Sequence, residues 1–192
     1  LGLRYPEKKS DGSAMTALPI RTLGDPVLRQ PAVPVTDVQV PEIQTLIETL
    51  KATLVAANGV GIAAPQVGVG LQILILASRP NRRYPFAPQM KPLAVINPQI
   101  LAQSQHQEAG WEGCLSVPDQ RGLINRAKRI TVQYTSQTGR TETAEWSDFI
   151  ARIFQHEFDH LQGKVFLDRQ PQQILSEADY FSQVLTQPMA PS

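Results

Sequence analysis

The sequence predicts an α+β fold, a single domain with antiparallel sheets folded around a central helix. Three observations lead there. Two segments carry apolar residues at helical spacing. Several short segments are either rich in Leu and Ile or alternate apolar with polar residues, and helical and extended segments follow one another in mixed order with no internal repeat or linker-like stretch. With 192 residues, 42% of them hydrophobic and 18% charged, the chain can enclose one substantial core.

Residues 1–14 are polar and rich in Gly, Ser and Lys, and read as a mobile leader. Met15 is a candidate natural start, so the leader is either a processed targeting segment or a cloning remnant. The domain is expected over residues 15–186, with 187–192 as a tail. Asp25-Pro26, Pro31 and Pro34 mark an extended, turn-rich entry. The first helix starts at Pro41, where a missing N–H costs nothing, continues through Ile43, Leu46, Ile47, Leu50 and Leu54, and stops at Asn58-Gly59. Gly59 to Gln66 reads as a small-residue loop and Leu71 to Ala77 as a buried strand. Four prolines and three arginines between Arg79 and Pro92 predict an irregular surface loop, a solvated connector in preference to a substrate lid. Leu93 to Ile100 reads as a strand and Gln103 to Glu108 as an exposed turn. Ile130 to Thr135 and Thr141 to Trp146, with Gly139 between them, predict a hairpin. The second helix begins at Ser147 or Asp148, runs to about Gln162 and ends at Gly163. Ile174 to Leu185 reads as a short amphipathic helix packing through Leu175, Phe181 and Val184.

Bulk properties exclude several functions. Eighteen Lys and Arg against 17 acidic residues give no electrostatic signal for nucleic acid or anionic membrane. The longest apolar run, Leu71 to Ala77, contains Gln72 and is too short to cross a bilayer. A single cysteine, Cys114, rules out an intramolecular disulfide and leaves a thiol that serves as a small buried hydrophobe, a ligand or a nucleophile.

The second helix carries the chemistry. His156, Glu157 and His160 form a His-Glu-x-x-His pattern, and residues four apart share a helix face, so both imidazoles can reach one metal ion with the carboxylate beside it. A metal ion lowers the pKa of bound water towards neutrality, and a neighbouring carboxylate can take and return the proton. Phe149 and Ile153 share the histidine stripe, which places it on the inward face and makes this central helix the metal-binding one. The bland alternative is a pair of core histidines bonded to backbone. A third ligand must come from elsewhere, and Cys114 is the obvious donor, leaving one coordination position open. His106 is the weaker candidate for closing the site.

Three segments together resemble the peptide deformylase family: Gly59-Val60-Gly61-Ile62-Ala63-Ala64-Pro65-Gln66, Glu112-Gly113-Cys114-Leu115-Ser116 and Gln155-His156-Glu157-Phe158-Asp159-His160. The likeness extends from about Ile20 to Asp168. It implies hydrolysis of the N-formyl group from the initiator methionine of nascent polypeptides by a metal-bound hydroxide, giving formate and a free N-terminal Met. On that resemblance Cys114, His156 and His160 bind one divalent metal, Fe(II) natively with zinc, nickel or cobalt as substitutes. Glu157 is the general base and then the general acid. Gln66, through its side-chain amide, and Leu115, through its backbone N–H, stabilise the oxyanion, where fixed donors act on charge as it develops. Gly59, Gly61 and Gly113 bring backbone close to an extended peptide. Val60, Phe149, Ile153 and part of Arg152 line a methionine pocket, Glu112 supports the site from behind or lines it, and Arg121 contacts peptide.

The implied partner is the N-formylmethionyl nascent peptide, with transient ribosome association and a monomeric state, in a bacterial cytoplasm or an organelle of bacterial descent. A zinc endopeptidase shares the helix pattern but usually draws its third ligand from downstream. A noncatalytic N-terminus binder would be expected to lack Glu157, Gln66 or a ligand, and a structural metal domain would have no open coordination position.

Overall fold

The helical spacing from Ile43 to Leu54 becomes α1, Pro41–Ala56, in the computed structural model, which describes residues 16–185. The helix starts at its proline and buries the five apolar positions that predict it. Thr49 and Thr53 are buried on the same face because their hydroxyls donate to the carbonyls of Thr45 and Thr49, both at 2.8 Å. The segments 1–14 and 187–192, read above as leader and tail, lie outside the described residues.

After α1 the chain forms β1 (Gly61–Ala63), β2 (Ile73–Leu76), β3 (Leu93–Gln103), β4 (Gln107–Cys114), β5 (Val117–Ala127), β6 (Arg129–Thr135) and β7 (Thr141–Ser147). Then come α2 (Asp148–Leu161), β8 (Gln173–Ser176) and a short α3 (Glu177–Tyr180) continued by one wide turn, Phe181–Leu185. The strands make two antiparallel sheets, ordered β1-β2-β3-β6-β7 and β4-β5-β8. In β2, Ile73 and Ile75 pack with the α1 side of the core, whereas Leu74 and Leu76 pack with Ile153, Phe154 and Leu161 of α2. Burial on both faces is why this strand reads as an unbroken apolar run. A third cluster, Cys114, Val117, Ile124, Val165 and Phe166, lies against the smaller sheet. α2 is therefore enclosed between the two sheets, and its residues from Ile153 to Leu161 are buried except Phe158.

The predicted hairpin is observed as β6 and β7, paired from Arg129↔Ser147 to Thr135↔Thr141. Ser147 occupies the position before α2, but its side chain makes no capping bond; the entry is fixed instead by the Asp148 N–H donating to the Lys128 carbonyl at 2.8 Å. Gly163 ends the helix with φ +71°, and a Cβ there would sit 2.7 Å from the Arg29 carbonyl oxygen. Pro98 is tolerated inside β3 because the pairing with β6 breaks register between Ile96 and Gln99.

Two expectations need correction, and one strand pair was not foreseen. Gly59 to Gln66 is not wholly loop, since Gly61–Ala63 pairs with β2 and Ala64–Val67 makes a 3-10 turn. Ile174 is not helical: residues 173–176 pair with Leu123 to Gln120 of β5, and only the residues after Ser176 turn into α3. The backbone bonds offered by the open edge of β5 outweigh a weak helical pattern. The long β4–β5 hairpin, Gln107↔Ala127 to Cys114↔Val117, was not expected as a strand pair. Among the described residues no helix is long and apolar enough to cross a membrane.

Phe154 is fully buried and its ring lies 5.2 Å from Trp146 and 5.6 Å from Phe158. Phe154→Ala should therefore lower unfolding free energy by about 3–5 kcal/mol in a urea titration; a loss below about 1 kcal/mol would contradict the placement of α2 at the centre.

Candidate metal centre

Cys114 is the last residue of β4, and Leu115 and Ser116 form the tight connection into β5. The hairpin end carries the sulfur to the inner face of α2, where His156 and His160 lie one turn apart with ring centroids separated by 5.2 Å. One ligand atom each from Cys114, His156 and His160 falls within 4.8 Å of the others, and all three residues are buried. Cys114 Sγ is 3.2 Å from His160 Nε2. A tetrahedral ion with bonds of about 2.0–2.3 Å sets its ligand atoms roughly 3.5 Å apart, so the trio fits one ion. His106 is exposed, at the β3–β4 turn, and takes no part in this cluster.

The surroundings prepare both rings for a cation. His156 Nδ1 lies 2.9 Å from Glu112 Oε2, which leaves Nε2 as its ligand atom. Burial works against charge on His156, but Cys114, Glu112 and Glu157 outweigh it and hold the ring well above its ordinary range. The anionic surroundings that favour a proton there favour a metal cation equally. Burial, together with the charges of His156 and Arg126, holds His160 well below its usual value, a neutral ring with a free lone pair.

Glu112 is held on three sides. Arg126 donates to both of its oxygens at 2.9 Å, Arg152 Nη1 adds another bond at 2.9 Å, and His156 occupies Oε2. Burial would raise its carboxyl, but Arg126 above all keeps it well below the carboxylate range. Arg126 also donates to Asp159 at 2.7 Å, and Arg169 pairs with the same aspartate. Arg126 on β5 and Asp159 on α2 were missed in the sequence, where a lone charge in a strand or helix carries no signal of burial.

Glu157 sits beside the trio, 4% exposed, with its Oε2 making no hydrogen bond among the described residues. Desolvation pushes its carboxyl up to about 7. Such a group can accept and return a proton near neutral pH. Gly61 is needed here because a Cβ would come within 2.5 Å of Glu157 Oε1 and 2.7 Å of Ile153 Cγ2. Gln66 accepts from the Ala63 N–H at 2.8 Å, which turns its amide nitrogen towards Ser116 Oγ at 3.2 Å and Cys114 Sγ at 3.7 Å.

Above this floor opens a cavity of about 190 Å³. Its walls include Gly59, Val60, Gly61, Gln66, Gly113, Leu115, Phe149 and Ile153, the residues grouped by sequence. Two of the residues grouped by sequence also have partners within the fold. Arg152 reaches the wall, but its guanidinium is occupied by Glu112 and the carbonyls of Glu108, Gly110 and Ile124, so it braces β4 rather than facing a ligand. The Gly113 N–H donates to Tyr84 Oη at 3.2 Å, and a Cβ at Gly113 would strike the Arg121 guanidinium at 2.5 Å. The segment 79–92 is likewise more than a solvated connector, since Arg83 and Tyr84 line the cavity and Tyr84 packs on Phe149 with centroids 5.0 Å apart.

A family model described as polypeptide deformylase matches residues 17–174. The chain belongs to the polypeptide deformylase family. It is 54% identical over 152 residues to peptide deformylase 2 of Nostoc sp., covering 79% of this chain and 85% of that one. Peptide deformylase 2 of Shewanella oneidensis is 51% identical over 152 residues, covering 79% and 83%. Among solved structures, the Met-Ala-Ser-bound class I type b peptide deformylase of Acinetobacter baumannii superposes with a TM-score of 0.79 at 42% identity, covering 81% of this chain and 99% of that one. The Thermotoga maritima peptide deformylase gives 0.72 at 40% identity, covering 80% and 97%. Membership makes this chain a divalent-metal hydrolase.

Glu112→Gln should weaken metal affinity by about 10–100-fold in a chelator competition, because the Nδ1 partner of His156 loses its charge. His106→Ala should leave affinity at the wild-type value, and a large loss there would mean that the ligand set is wrong.

Proposed function

We propose that this cleft removes the N-formyl group from the initiator methionine of nascent polypeptides through the residues grouped above. The observation that carries the reading is the buried Glu157 carboxyl, its Oε2 without a hydrogen-bond partner among the described residues, beside a Cys/His/His trio at the floor of an open cavity, in a chain of this family.

A divalent ion held by Cys114, His156 and His160 would supply Lewis acidity, bringing the pKa of water towards neutrality. Glu157 takes the proton of the attacking water and delivers it to the nitrogen of the leaving amine, so one carboxyl serves first as base and then as acid. Attack on the formyl carbon shifts negative charge onto its oxygen. The Gln66 side-chain N–H and the Leu115 backbone N–H donate to that oxygen. The Ala63 N–H holds the amide of Gln66 in place, and its donation to the oxyanion replaces the long contact with Cys114 Sγ. Val60, Phe149 and Ile153 accept the methionine side chain, and Gly59 and Gly61 keep the wall low enough for an extended peptide to lie along it.

The thiolate and two imidazoles suit several divalent ions, and Fe(II) is the proposed native one, with zinc, nickel or cobalt able to replace it. The catalytic unit is taken as residues 15–186, acting as a monomer, in transient association with ribosomes where its substrate emerges. A bacterial cytoplasm, or an organelle of bacterial descent, is the proposed location, in keeping with bacterial relatives.

Formate release from formyl-Met-Ala-Ser tests this reading directly. Glu157→Ala should keep one metal per chain and lose about 10²–10⁴-fold in rate; a variant that retains wild-type turnover would remove Glu157 from the mechanism. Ile153→Ala should reduce the preference for methionine over smaller first residues, and an unchanged preference would exclude it from the pocket.

A further inference from the structure

The mouth of the cavity holds a charge arrangement that hydrolysis does not use. Arg83 Nε and Arg121 Nη2 converge on the two oxygens of Glu177, at 3.3 and 3.4 Å, and all three residues line the cavity. They come from three separate places: the irregular segment 79–92, β5 and α3. Glu177 lies just beyond residue 174, where the match to the family model ends.

Both contacts are longer than the roughly 2.7–2.9 Å of a strong charge-assisted bond. The side chains of Glu177 and Arg83 are 29% and 33% exposed, so another carboxylate can reach the same place. Arg121 is fixed. Its guanidinium carbon sits 5.4 Å from the Tyr84 ring centre and 5.1 Å from that of Tyr180, its Nη1 donates to Tyr84 Oη at 3.0 Å, and only 2% of its side chain is exposed. Its Nε is buried with no hydrogen-bond partner among the described residues. A rigid buried cation whose Nη2 meets Glu177, beside a second arginine with a third of its side chain exposed, presents donors on which a carboxylate can settle. Glu177 occupies them from within.

We infer that Glu177 is a specificity-determining residue for the part of the peptide that follows methionine: by occupying Arg83 and Arg121 it keeps acidic side chains at the second or third position from gaining those arginines. The inference rests on the deformylation reading above. A peptide carboxylate must displace Glu177 or approach it, and like charges at that distance repel. With the glutamate neutralised, the two guanidiniums become available and the preference turns towards acidic peptides.

The experiment compares formyl-Met-Glu-Ser and formyl-Met-Ala-Glu with formyl-Met-Ala-Ser on the metal-loaded full chain. In Glu177→Gln the ratio of kcat/KM for at least one acidic peptide to that for formyl-Met-Ala-Ser should rise about tenfold over the wild-type ratio, through KM. The gain should shrink as salt is raised and should largely disappear in the Glu177→Gln, Arg83→Met double variant. Ratios that stay at the wild-type value in Glu177→Gln would overturn the inference, as would a gain insensitive both to salt and to Arg83→Met. Absence of formate from formyl-Met-Ala-Ser with the wild type would instead overturn the hydrolysis, and this inference with it.

Discussion

The site depends on one contact between elements that are far apart in sequence, the hydrogen bond from His156 on α2 to Glu112 on β4. Glu112 stands two residues before Cys114, so the same strand that supplies the sulfur also orients a ring of the helix facing it. The carboxylate can be buried only because Arg126 and Arg152 neutralise it, and Arg126 is in turn shared with Asp159 on α2. Buried ion networks of this kind contribute little net stability, because desolvation of each charge offsets most of the attraction. What this one contributes is geometry: β4 and α2 are fixed in register, and the ligand atoms arrive within one ion's reach.

From that constraint follows the division of the molecule. The larger sheet and α1 form a conventional apolar core, in which β2 and β3 bury Leu, Ile and Val on both faces while β6 buries one. The smaller sheet faces α2 with charged and small residues instead, and there the reactive groups accumulate. Glu157 is poised by the same burial that isolates it from water, which lifts its carboxyl into the neutral range. Gly61 has a steric reason that is independent of peptide binding, since a Cβ there would force the Glu157 and Ile153 side chains to move.

Both long helices, β2, β3, the β6–β7 hairpin and the irregular 79–92 segment were legible from periodicity and from proline placement. The β4–β5 pair was not, because its buried positions hold Glu112, Cys114, Arg121 and Arg126, and hydrophobic alternation fails where charge fills the inward face. β8 was read as helix because its pairing with β5 is a tertiary effect invisible in local sequence. The ligand trio was accessible because the i, i+4 histidines identify themselves and the cysteine has no competitor. Arg152 lines the cavity, but the partners of its guanidinium were not legible, since spacing gives only the face of a helix. Tyr84, Arg83 and Glu177 reach the cavity through loop conformation and chain packing, for which no motif exists.

The central claim is that one sulfur and two imidazole nitrogens of this chain hold a single ion with a position left open. X-ray absorption at the metal edge of the zinc-loaded protein tests it most directly. The account predicts one sulfur neighbour at about 2.3 Å and two imidazole nitrogens at about 2.0–2.1 Å, with the remaining scatterer a light atom from solvent. A first shell without sulfur, or one completed by a third imidazole, would contradict it.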